Sequence, residues 1–172
     1  KKVCYPEGKA PYITPPLRNM QELHIPSLQE IEEKLSYVFT TIKLLSPTLS
    51  VPLIGFCGAP FTLLCYLLEP RGMQGFEQVR VWIDHRREEF IQMLEMISQT
   101  CISFANLQIQ AGCKAFQLFD SWANLLSQEE FEVFVLPYWK QMKQALAPLQ
   151  VPVLFFSRAN SSYVDTIAST NF

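Results

Sequence analysis

Two short segments hold the side chains best suited to chemistry. Thr62 and Tyr66 stand one helical turn apart just after Gly58-Ala59-Pro60, and Asp120-Ser121-Trp122 closes a second apolar run. Tyr66 can donate a phenolic hydrogen bond to a carboxylate ligand, or it can be an ordinary core aromatic. Asp120, Ser121 and Trp122 bring a carboxylate, a hydroxyl and a large aromatic together at the end of a strand. Asp and Ser are also good helix N-caps, so this segment reads equally as a cap or as a site. Arg158, after a third apolar run, could meet an anionic ligand or be a solvated loop arginine. The chain has two histidines, His24 and His85, and neither is near Ser121, which leaves a Ser-His-Asp triad poorly supported. Five scattered cysteines show no metal-ligand spacing, so no metal site is expected.

The elements that must position these groups follow from periodicity. Val51–Phe56, Cys113–Phe119 and Val151–Phe156 are nearly all apolar and read as fully buried strands. Ser27-x-x-Glu30 and Ser127-x-x-Glu130 are capping boxes that open helices. The first helix keeps its apolar spacing from Leu28 to Leu45, before Pro47. The second runs to about Leu146, with a kink expected at Pro137. Further helices are expected over about Phe61–Leu68, Phe76–Ile83 and Arg86–Gln110, with a last one starting at about Tyr163. Asp84 is the expected N-cap of the long helix and Gly112 its stop. Pro70-Arg71-Gly72 marks a loop, and Cys4–Ile13 a hairpin turning near Glu7-Gly8.

Strands alternating with helices predict an α/β fold with a parallel sheet covered by helices. A complete (β/α)8 TIM barrel needs about 250 residues. The 172 residues here, with three strand–helix units, fit about the middle half of one. No G-x-G-x-x-G follows any strand, which removes support for a dinucleotide fold. The net charge of −2, without a basic stripe, argues against nucleic acid. Val51–Leu68 has no charged residue and is long enough to score as a membrane span, but its prolines and glycines fit strand, turn and helix better. The unpaired cysteines suggest a reducing compartment. Thirteen Phe, six Tyr and three Trp suit a large core or a pocket for a flat ligand. The start at Lys1 suggests a piece of a longer chain.

Two motifs together resemble the uroporphyrinogen decarboxylase family. Its P-L-I-G-F-x-G-[AS]-P-[WF]-T-L-x-x-Y pattern stands here as Pro52 through Tyr66, followed by Leu67-Leu68-Glu69. Its A-G-x-x-x-x-x-[IL]-F-[DE]-[ST]-[WH] pattern stands as Ala111-Gly112 through Leu118-Phe119-Asp120-Ser121-Trp122. Leu136-Pro137-Tyr138, Val151-Pro152-Val153 and the opening Gly8–Leu23 stretch are similar too. The resemblance implies a (β/α)8 barrel with its cleft at the carboxyl ends of the strands. It implies removal of the four acetate carboxyls of uroporphyrinogen III as CO2, giving coproporphyrinogen III, with neither metal nor organic cofactor. Carried over by position, Tyr66 hydrogen-bonds substrate, Ser121 touches a propionate or acetate arm, and Phe56 and Phe119 line the cleft. Asp120 orients its neighbours, and no residue of this chain is assigned a catalytic role. The partners implied are the tetrapyrrole and a second copy in a homodimer, with no nucleic acid or membrane. The implied compartment is the cytoplasm, with a plastid as the other choice.

The chain also departs from the family pattern. The amino-terminal arginine-rich motif, the F-S-D segment and the carboxyl-terminal G-H-G segment are not in it. Pro70 replaces a glycine, and Ser157-Arg158-Ala159-Asn160 departs from a basic-then-glycine loop. The expectation is therefore a decarboxylase piece that is inactive by itself. The other readings are a corrinoid or coenzyme M methyltransferase on the same barrel and a non-catalytic porphyrin-binding remnant.

Overall fold

In the computed structural model, residues 1–8, 11–69, 76–158 and 163–168 are described. The expected loop at Pro70-Arg71-Gly72 and the Ala159-Asn160 part of the last loop lie outside them. An antiparallel hairpin opens the chain, β1 (Lys2–Cys4) against β2 (Tyr12–Thr14). It turns by way of Gly8, whose φ of 68° is one that glycine adopts without strain. Helices α1 (Leu28–Lys34) and α2 (Ser36–Leu45) follow, then β3 (Ile54–Gly58) and α3 (Pro60–Leu68). Next come α4 (Glu77–His85), the long α5 (Arg87–Ala111) and β4 (Ala115–Asp120). The chain continues through α6 (Gln128–Phe134), α7 (Leu136–Leu146), β5 (Val153–Ser157) and α8 (Val164–Ala168).

The expected parallel sheet is present, with strand order β3-β4-β5. Its register pairs Gly58 with Phe119 and Asp120 with Ser157, so the carboxyl ends of the three strands lie side by side. No closed barrel forms among the described residues. The sheet's faces also differ from expectation. Gly55, Cys57, Phe116 and Leu118 are buried against the helices, whereas Ile54, Phe56, Leu154 and Phe156 are exposed on the opposite face. Nearly continuous apolar sequence read as burial on both faces, yet helices cover only one.

Both capping boxes form. Ser27 and Ser127 each accept from the backbone N–H of Glu30 and Glu130, whose carboxylates accept the serine N–H in return. The first expected helix is broken at Leu35, whose φ of −111° and ψ of 16° leave the helical basin. The expected kink at Pro137 falls at Val135 (φ −123°, ψ −58°). Pro137 thereby sits in the first turn of α7, where its missing N–H costs no helical bond. Asp84 is not the cap of α5: it lies inside α4, and Arg86 occupies the N-cap position without a side-chain bond. Gly112 stops α5 at φ 130°. The buried Glu69 carboxylate caps α4 by accepting from the N–H groups of Gln78 (2.9 Å) and Val79 (3.1 Å).

The main core lies between the covered sheet face and the helices. Phe61, Phe90, Phe116, Phe131, Phe134 and Trp139 are all buried in it. On the free edge of β3, the Gln108 side chain takes both backbone groups of Phe56. Phe56 N–H donates to Oε1 (3.2 Å) and Nε2 donates to Phe56 O (3.0 Å). Gly55 makes room for this, since a Cβ there would stand 3.0 Å from both Gln108 Oε1 and Cys113 Sγ. Among the described residues, no helix is long and apolar enough to cross a membrane.

Candidate active site at the strand ends

The carboxyl ends of β3 and β4 are tied together by one buried carboxylate. Asp120, the last residue of β4, is 1% exposed. Its Oδ1 accepts from Thr62 Oγ1 (2.7 Å) and its Oδ2 from Trp139 Nε1 (3.1 Å). Thr62 Oγ1 in turn accepts from the backbone N–H of Trp122 (3.3 Å). This chain of bonds joins the first turn of α3, the end of β4 and the first turn of α7. Pro60 sits at the start of α3, where a fixed φ suits the first turn and places Thr62 toward β4. Burial pushes the Asp120 carboxyl up to about 6, while the bonds from Thr62 and Trp139 hold it down. The N-cap reading of Asp120 fails: its oxygens are spent on side chains distant in sequence. Trp122, not Asp120 or Ser121, precedes the short helical turn Ala123–Leu125.

Tyr66 is half-buried, and its ring meets Trp122 edge-on with centroids 6.1 Å apart and planes at 77°. Its hydroxyl has no hydrogen-bond partner among the described residues. Ser121, also half-buried, is the residue between Asp120 and Trp122. The structure thus brings Tyr66 to the segment that holds Ser121 and walls off neither. Phe56 and Phe119 meet across β3 and β4 with centroids 5.8 Å apart, and Phe119 meets Phe156 of β5 at 5.4 Å. These rings form an aromatic row on the face that no helix covers, and Phe56 is 62% exposed.

Sequence reasoning missed three contributors. Thr62 was noted for its spacing from Tyr66, but its bond to Asp120 spans 58 residues. Trp139 lies within the second capping-box helix, for which only the ends and the Pro137 kink are expected. Phe156 looked like an interior strand residue. For Thr62 a signal exists, namely a hydroxyl in the first turn after Gly-Ala-Pro, with an acid ending the next strand. Nothing local marks the other two. Three polar atoms here are buried without a partner among the described residues, Trp122 Nε1, Asn124 Oδ1 and Ser157 Oγ. An unmet buried donor or acceptor costs about 1–3 kcal/mol, so such atoms call for a ligand, water or further chain.

Fold and site define a class: a parallel α/β protein whose strand ends carry a phenol, a hydroxyl and an aromatic face. The comparisons narrow that class. The family model described as uroporphyrinogen decarboxylase (URO-D) matches residues 1–172. The chain belongs to the uroporphyrinogen decarboxylase family. It is 36% identical over 167 residues to a uroporphyrinogen decarboxylase of Protochlamydia amoebophila, covering 97% of this chain and 46% of that protein. With that of Geotalea daltonii it shares 35% over 159 residues, covering 91% and 47%. With that of Desulfotalea psychrophila it shares 34% over 169 residues, covering 98% and 50%. The chain therefore spans about half the length of the curated relatives it matches.

Proposed function

We propose that this chain provides one wall of the substrate cleft of a uroporphyrinogen decarboxylase. The complete protein would remove the four acetate carboxyls of uroporphyrinogen III as CO2 and yield coproporphyrinogen III. Its fold would be a closed (β/α)8 barrel, to which β3, β4 and β5 contribute adjacent staves and the uncovered sheet face an interior surface. One observation supports this most directly. The ring of Tyr66, on the helix that follows β3, meets Trp122, the neighbour of Ser121 just past the end of β4, and the carboxyl ends of strands are where such barrels do their chemistry.

The reaction suits these groups. Protonation of a pyrrole carbon beside an acetate arm gives an iminium-like ring, which accepts the electron pair released as CO2 departs. A proton then completes the new methyl group, and the ring carbon gives back the proton it took. The substrate is its own electron sink, so the protein must hold a polyacid macrocycle and position its arms. Tyr66 donates to one carboxylate and Ser121 to another, while Phe56 and Phe119 lie against the ring. The Asp120–Thr62 pair sets the strand ends relative to each other.

The test is an anaerobic assay of the full-length protein with uroporphyrinogen III, without added metal or cofactor. Coproporphyrinogen and CO2 are the expected products. Recovery of uroporphyrinogen unchanged would contradict the reading.

A further inference from the structure

Arg158 follows β5 directly, and the period-two alternation of the strand puts it on the same uncovered face as Leu154 and Phe156. The register that pairs Asp120 with Ser157 sets Arg158 beside Ser121 and Trp122 at the next step. Its guanidinium lies over the Trp122 ring, with Cζ 5.6 Å from the centroid. It forms no ion pair among the described residues. The indole N–H of Trp122 is buried, with no partner among the described residues. A cation without an ion-pair partner among the described residues thus stacks on an indole at the rim of an aromatic face.

We propose that Arg158 and Trp122 form a carboxylate subsite that takes one side-arm carboxylate of the macrocycle. The guanidinium would give a charge-assisted hydrogen bond, and the Trp122 ring would hold the guanidinium in place. Stacking on the ring limits the conformations of the arginine before ligand arrives. This subsite is distinct from the phenol and hydroxyl of Tyr66 and Ser121, and it rests on the decarboxylase reading for the identity of its ligand.

The experiment uses the full-length protein with Arg158→Gln, Arg158→Lys and Trp122→Phe. Turnover is measured with uroporphyrinogen III, and binding with coproporphyrin III, a tetracarboxylate that needs no turnover to be read. Arg158→Gln should raise KM and Kd about tenfold with kcat within about twofold. Arg158→Lys should recover most of that loss, and Trp122→Phe should weaken binding about threefold. Raising salt from about 50 to about 500 mM should weaken the wild type more than Arg158→Gln, because only the former loses a screened cation. Because Arg158 is exposed, Arg158→Gln should fold normally, which makes it the decisive variant. Wild-type KM and Kd in Arg158→Gln at both salt concentrations would overturn the subsite. If the wild type lacked turnover, the decarboxylase reading would fall, while the porphyrin titration would still decide the subsite.

Discussion

Thr62 Oγ1 donates to Asp120 Oδ1 at 2.7 Å across 58 residues of sequence, joining the helix after β3 to the last residue of β4. The same hydroxyl accepts from the Trp122 N–H, so one threonine fixes the acid and the backbone on both sides of Ser121. Removing the hydroxyl leaves a fully buried carboxylate with one partner fewer. Thr62→Val should destabilise the full-length protein by about 1.5–3 kcal/mol, and Thr62→Ser by much less. Urea unfolding of the two variants measures this. Equal stability for Val and Ser would show that the bond does not bear on the fold.

Asp120 also sets a pH dependence. Its carboxyl is raised from 3.8 to about 6, chiefly by burial. Below about pH 4 the group is protonated whether the chain is folded or not. Between about pH 4 and 6 the folded chain keeps a proton that the unfolded chain has released, so stability falls as pH rises through that window. The loss amounts to up to about 3 kcal/mol. Asp120→Asn should flatten this part of the stability–pH curve. A slope unchanged by Asp120→Asn would assign it to other groups.

Tyr66 offers a phenol with no protein partner among the described residues. Tyr66→Phe keeps the edge contact with Trp122 and removes only the hydrogen bond proposed to an ionised arm. If the proposed decarboxylation holds, turnover efficiency of the full-length protein should drop by about 1.5–3 kcal/mol in transition-state binding, with thermal stability unchanged. Kinetics equal to wild type would make Tyr66 a packing residue.

The two faces of the sheet predict opposite phenotypes for phenylalanine truncation. Phe116 is fully buried under the helices, and Phe116→Ala should cost about 3–5 kcal/mol of stability. Phe56 lies on the uncovered face, and Phe56→Ala should mainly raise KM for the macrocycle. Paired denaturation and kinetic measurements separate the two effects. A large stability loss with an unchanged KM for Phe56→Ala would contradict its role in the cleft.

The legible parts of this protein were the local ones. Ser27-x-x-Glu30, Ser127-x-x-Glu130 and Gly112 act within a turn or two of themselves, so the sequence places the helix ends they control. Asp84 failed because an acidic residue before a helical run is equally at home in the last turn of the preceding helix. Residues 28–45 look continuous by spacing, since periodicity does not register a single residue such as Leu35 leaving the helix. The apolar strands gave direction but not exposure, because an all-apolar strand looks the same whether a helix or a ligand cleft covers its second face. In the candidate site, Tyr66, Ser121, Phe56 and Phe119 were proposed from motif and position. The bonds of Asp120 to Thr62 and Trp139 were not, because no local pattern encodes a contact between distant segments.

The most direct test is a crystal structure of the full-length protein bound to coproporphyrinogen III. The expected result places the hydroxyls of Tyr66 and Ser121 each within about 3.2 Å of a side-arm carboxylate, with the macrocycle against Phe56 and Phe119. A ligand bound elsewhere, or reached by neither hydroxyl, would contradict the strand-end site.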